Sequence, residues 1–181
     1  MARIYDNLET KFTEGLQGII SNVGVKRVDF CVGYFNLRGW NLIVNQVEDL
    51  PGDYVYEDDE RKLRICRLLI GMHRPDEDLI RTLYSKQDAM PDAEYVMQCK
   101  MQIARDFRRQ LLLGIPTKTD EWTLRRLSAQ MKEGKVCVKL YLKEPLHAKL
   151  YLAYRPQDNF NKIQAIMGSS NLTYSGLTKQ G

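Results

Sequence analysis

His147 and Lys149 stand two residues apart in LHAKLYL (146–152), a stretch otherwise built from Leu, Ala and Tyr. Side chains alternate faces along a strand, so His147, Lys149 and Tyr151 share one side, while Leu146, Ala148, Leu150 and Leu152 share the other. Same-face neighbours lie about 6.6 Å apart at the backbone, which lets an imidazole and an ammonium converge on one anionic group without touching each other. A second polar cluster ends the next apolar run, IQAIMGSSNL. Gly168 permits close backbone approach, the Ser169 and Ser170 hydroxyls can donate hydrogen bonds, and Asn171 carries an amide donor group. If the two segments pair as a hairpin through RPQDNFN, one imidazole, one ammonium and several neutral donors face the same volume. Such a set suits phosphoryl transfer, where charge builds on the non-bridging oxygens, and histidine can serve as the nucleophile. No carboxylate or cysteine cluster accompanies it, so the expected mechanism uses neither metal nor cofactor.

The elements that must position these groups follow from apolar periodicity. Leu8, Phe12, Leu16, Ile19 and Ile20 recur at three- and four-residue spacing, which predicts a helix over 6–22 capped by Asp6 or Asn7. VDFCVGYF (28–35) reads as a strand covered on both faces, and Asn36 then caps a helix through LRGWNLIVNQVEDL. PGDYVYEDDER (51–61), with its run of four acids, reads as an exposed loop rather than a metal site, because no regular ligand spacing appears. LRICRLLIG (63–71) is the second buried strand. Helices are expected over 76–85, 92–113 and 119–133, and strands over 135–142, 147–155 and 162–168. This order gives one α/β domain over 1–181, with a mixed β-sheet sandwiched between helices. Its end at NLTYSGLTKQG without a closing element reads as truncation from a longer chain.

At 181 residues the chain can bury a core without staples. Its four cysteines, Cys31, Cys66, Cys99 and Cys137, form no C-x-x-C pair, so neither zinc nor a disulfide framework is signalled and an intracellular, cytoplasmic setting is expected. No run approaches the ~20 apolar residues of a membrane span, and no membrane partner is expected. A net charge of +4 is compatible with nucleic acid without requiring it.

HAK followed by GSSN resembles the H-x-K … G-S-x-N signature of the phospholipase D superfamily, which includes lipid hydrolases, nucleases, and restriction and repair enzymes. The likeness extends over DNLETKFTEGL, RVDFCVGYFNLRGW, CRLLIGMHR and HAKLYL … GSSNLTYSGL, nearly the whole chain. Together these resemble the phospholipase D-like domain at the N-terminus of certain superfamily-two helicases and related restriction-type nucleases. The resemblance implies a phospholipase D-like fold and a nuclease or other phosphodiesterase acting on DNA or RNA. His147 would form a phosphohistidine, and Lys149, Asn171 and Ser169 would hold phosphate oxygens in a turn shared with Gly168 and Ser170. Family members with one signature per chain join two copies across a two-fold axis, so a homodimer is implied, with C-terminal helicase motor domains in the full-length protein. Two departures stand out: Tyr154 occupies the position of the family's aspartate, and the gap to Gly168 is longer. The first of them, with no acidic residue following GSSN in this sequence, leaves open a second reading, a non-catalytic module that grips a nucleic-acid phosphate for a motor. A lipid phosphodiesterase is disfavoured, since no amphipathic membrane-binding segment is evident.

Several other residues read as structural. His73 lacks a lysine two residues on and reads as a loop or core histidine. Arg105, Arg108 and Arg109 on one helix, and Arg125, Arg126 and Lys132 on the next, read as solvated faces. Trp40 and Trp122 read as core.

Overall fold

The computed structural model describes Tyr5 and residues 10–71, 93–111, 117–156 and 160–178. Its centre is a five-stranded mixed sheet in the order β5-β4-β1-β6-β7. Strands β1 (Arg27–Val32), β4 (Cys66–Ile70) and β5 (Val136–Leu140) run parallel. Strands β6 (Lys149–Tyr154) and β7 (Ile163–Met167) run antiparallel and form the expected hairpin. The register aligns Phe30 with Leu68 on one side and Tyr151 on the other. Val28, Phe30, Val32, Leu68, Ile70, Tyr151 and Ala153 thereby form a continuous buried face.

Helices cover that face. α1 (Phe12–Ile20) buries Phe12, Leu16, Ile19 and Ile20, the stripe read from the sequence. It starts later than expected: Lys11 is the extended residue at its head and makes no side-chain cap bond. Asp6 and Asn7, the expected caps, lie outside the described residues. The expected long helix after Asn36 is broken into α2 (Leu37–Asn41) and α3 (Val44–Glu48), because Ile43 adopts φ −126° between them. Asn36 does cap α2, accepting from the Gly39 N–H at 2.8 Å.

α4 (Ala93–Leu111) and α5 (Lys118–Lys132) fall close to expectation. The predicted helix over 76–85, and His73, lie outside the described residues. α5 opens with a capping box in which the Thr117 hydroxyl accepts from the Asp120 N–H, and the Asp120 carboxylate accepts from the Thr117 N–H. Arg38 of α2 donates to both oxygens of that carboxylate, which joins the two helices. A short helix, α6 (Tyr174–Thr178), follows the GSSN segment and was not anticipated.

The acidic stretch is not a loop. β2 (Asp53–Glu57) and β3 (Glu60–Arg64) form a hairpin whose turn residues, Asp58 and Asp59, both have positive φ, 51° and 62°. Two-residue turns with both central residues left-handed match the twist of paired strands, and Asp tolerates that conformation. Consequently 63–71 is not one strand: the chain leaves the hairpin at Arg64 and enters the main sheet at Cys66. The buried Glu57 accepts from Arg64 at 2.9 Å, and on the sheet Arg67 and Arg27 both donate to Asp29. Burial alone pushes the Asp29 carboxyl up, but these two guanidinium groups outweigh it and hold the group below its ordinary value.

Trp40 is fully buried, as expected. Trp122 is not a core residue: it is 51% exposed, with the Arg126 guanidinium 4.5 Å over its ring. Arg126 also binds Glu48 and Asn45, so it links α5 to α3 rather than standing solvated.

Candidate functional site

The carboxyl ends of the parallel strands define one edge of the sheet, the place where ligands bind in open α/β folds. β6 runs the other way, so its beginning lies at that same edge: Lys149 is paired with Val32, the last residue of β1. Val32 is buried on the helix-covered face, and the alternation that buries Tyr151 and Ala153 on that face places Lys149 there too, at its rim. His147 precedes the strand and is exposed.

The two side chains touch. Lys149 Nζ lies 2.7 Å from His147 Nε2, closer than the same-face spacing suggested, because His147 sits just outside the regular strand. An ammonium has only donors, so with Lys149 charged Nε2 is the acceptor of this pair. Desolvation lowers the Lys149 pKa from the ordinary lysine value.

The GSSN segment returns to this edge through the β6–β7 hairpin. The Gly168 N–H donates to the Lys149 carbonyl at 3.3 Å, and the Tyr151 hydroxyl donates to the Ser170 carbonyl at 2.8 Å. Asn171 is fixed by a longer reach, its Oδ1 accepting from the Tyr34 N–H at 3.0 Å. With the oxygen committed, the amide NH₂ is the part of Asn171 turned away from the Tyr34 backbone. A parallel bridge between Phe35 and Leu172 and a 3.1 Å bond from the Asn36 N–H to the Leu172 carbonyl lock this segment against the loop after β1. Gly39 is required at that joint: a Cβ there would stand 2.7 Å from the Leu172 carbonyl oxygen.

His147, Lys149, Gly168 and Asn171 are thus brought to one rim. Ser169 and Ser170 stand at its side, where with Gly168 they line a 960 Å³ groove running between α1 and β7. Tyr154 lies at the opposite end of β6, under the Arg27 guanidinium at 3.6 Å, and takes no part in the rim.

Sequence reasoning missed Tyr34. Its ring centroid is 6.4 Å from that of His147 with the planes at 76°, and its backbone holds Asn171. The signal available was the break in the apolar run VDFCVGYF, where Gly33 and Tyr34 end the strand.

Among the described residues no group of three or more His, Cys, Asp or Glu could hold a metal ion. No helix among them is long and apolar enough to cross a membrane. No family model matches the chain, and no curated protein matches it significantly.

Proposed function

We propose that this chain is a phospholipase D-like phosphodiesterase domain acting on nucleic acid, a nuclease by preference over a lipase, in a cytoplasmic helicase or nuclease. The observation that carries the reading is the 2.7 Å His147–Lys149 pair standing on the same sheet edge as the Gly168–Asn171 turn. In the free protein Lys149 occupies the lone pair that His147 would use. An incoming phosphate offers Lys149 a charged acceptor in place of the imidazole and so frees Nε2 for attack.

The chemistry then balances in two steps. His147 Nε2 bonds to phosphorus while the bond to the leaving oxygen breaks, and the protonated His147 of the partner subunit in a homodimer gives that oxygen its proton. Water next attacks phosphorus, its proton passes to the partner's His147, and the phosphorus–nitrogen bond breaks to regenerate the imidazole. Lys149, the Asn171 NH₂ and the Ser169 hydroxyl hold the non-bridging oxygens, with Ser170 and Gly168 shaping the turn. No cofactor is needed. C-terminal helicase motor domains are the partners that fit this role.

A second reading, a phosphate clamp without turnover, draws on Tyr154, which leaves the strand without the carboxylate that would orient the site. One comparison separates the two: single-turnover cleavage of an oligonucleotide beside its equilibrium binding, for wild type, His147→Asn and Lys149→Ala. The catalytic reading requires His147→Asn to lose cleavage by at least a hundredfold with binding nearly intact, and Lys149→Ala to weaken both. A wild-type protein that binds but never cleaves, with His147→Asn indistinguishable from it, establishes the clamp instead.

A further inference from the structure

We propose that Tyr34 is a stacking platform for the nucleobase next to the bound phosphate, which makes single-stranded nucleic acid the substrate class of the site. This rests on the phosphate-handling role proposed for His147 and Lys149. Tyr34 follows β1, and its local duties are met by its backbone: the Tyr34 N–H holds Asn171, while the neighbouring Gly33 N–H donates to the Ala148 carbonyl at 2.7 Å. Neither bond needs an aromatic side chain. Yet the ring stands 49% exposed beside His147, one residue before Phe35, which is buried in the core. The phenol is therefore an aromatic surface placed against His147, the proposed nucleophile, and joined through its own backbone to the Asn171 amide.

A phosphodiester lying between His147, Lys149 and Asn171 carries its flanking groups within reach of that ring. Among the groups that flank phosphates, a nucleobase gains most from an aromatic face, and it does so whatever its sequence. It can use that face only when it is unstacked, so a base inside a duplex is excluded. Tyr174 extends the same rim. It is 48% exposed, and its N–H donates at 3.3 Å to the Oδ1 of Asn36, on the far side of the Phe35–Leu172 bridge. Two half-exposed tyrosines thus flank the seam that holds Asn171, while Lys149 supplies charge at its edge.

The test measures equilibrium binding of oligothymidylate, of an abasic oligomer with the same number of phosphates, and of a blunt duplex, to wild type, Tyr34→Ala, Tyr34→Phe and Lys149→Ala. Wild type should prefer oligothymidylate to the abasic oligomer. Tyr34→Ala should lose roughly 5- to 150-fold on oligothymidylate, the range of one base–aromatic stack, and nothing on the abasic oligomer. Tyr34→Phe should retain wild-type affinity. Equal wild-type affinity for the two single strands, an equal loss on both in Tyr34→Ala, or tighter binding of the duplex overturns the proposal. The Lys149→Ala arm distinguishes the failures. If it weakens the abasic oligomer while Tyr34 has no effect, stacking alone is wrong; if it weakens nothing, the phosphate-handling reading fails and the platform fails with it.

Discussion

Replacing Asp120 by asparagine removes one charge from the joint between α5 and α2 while keeping the size of the side chain. The carboxylate accepts from Arg38 Nε at 3.2 Å and Arg38 Nη2 at 3.1 Å, and from the Thr117 N–H and hydroxyl at 2.9 and 2.8 Å. The Arg38 hydrogen bonds are the largest influence, and together these donors hold the Asp120 pKa down to about 2, against an ordinary 3.8. A folded value below the unfolded one contributes stability that is fully present above the unfolded pKa and is lost as pH falls through the folded one. That difference corresponds to about 2 kcal/mol at neutral pH. Arg38 is half-exposed, so salt screening reduces its share of this figure. Asp120→Asn should therefore cost about 1–2 kcal/mol at pH 7, roughly half of that at pH 3, and almost nothing below pH 2. Urea denaturation at pH 7 and pH 3 reads the two values, with the slope of the transition unchanged. A cost that is the same at both pH values would refute the electrostatic account and leave only geometry to explain the joint.

Two further outcomes follow from the packing and the donor set. Gly39→Ala forces a Cβ onto the Leu172–Thr173 backbone and should cost about 1–3 kcal/mol while displacing Asn171, whereas Gly18→Ala, with nothing within 4 Å, should be neutral or slightly stabilising. Thermal melts of the pair check this, and equal stability of Gly39→Ala and wild type contradicts it. Phosphodiester cleavage should persist in excess EDTA, measured by product formation over time; complete loss restored by Mg²⁺ contradicts the metal-free chemistry.

Much of the sheet was legible because apolar runs and alternation specify strands independently of their partners. Period two places His147 near Lys149 but not their 2.7 Å contact, which arises because His147 precedes the regular strand, whereas the return of Gly168 to Lys149 follows from the pairing of β6 with β7. What was missed depends on contacts far apart in sequence or on turn chemistry. Tyr34 meets Asn171 across 137 residues, so the break at Gly33 marks the end of a strand but not the partner that the next residue meets. The β2–β3 hairpin was hidden because four consecutive acids read as solvation. In fact Glu57 is buried against Arg64, and Asp58 and Asp59 make the left-handed turn. Trp122 misled because helical spacing with apolar neighbours does not say whether another element covers that face; in the fold the ring is half-exposed, with the Arg126 guanidinium over it. The break between α2 and α3 arises at Ile43, a residue whose type gives no warning of it.

The central claim is that His147 becomes covalently bound to phosphorus. An oligonucleotide labelled on the phosphate-bearing fragment that the enzyme would retain, mixed with the protein and quenched during turnover, tests it most directly. The account predicts labelled protein whose bond is labile to acid and stable to alkali, as a phosphorus–nitrogen bond is, with the label mapped to His147 and absent from His147→Asn. Cleavage that proceeds at the wild-type rate in His147→Asn, or a wild-type enzyme that turns over without ever retaining label, would contradict it.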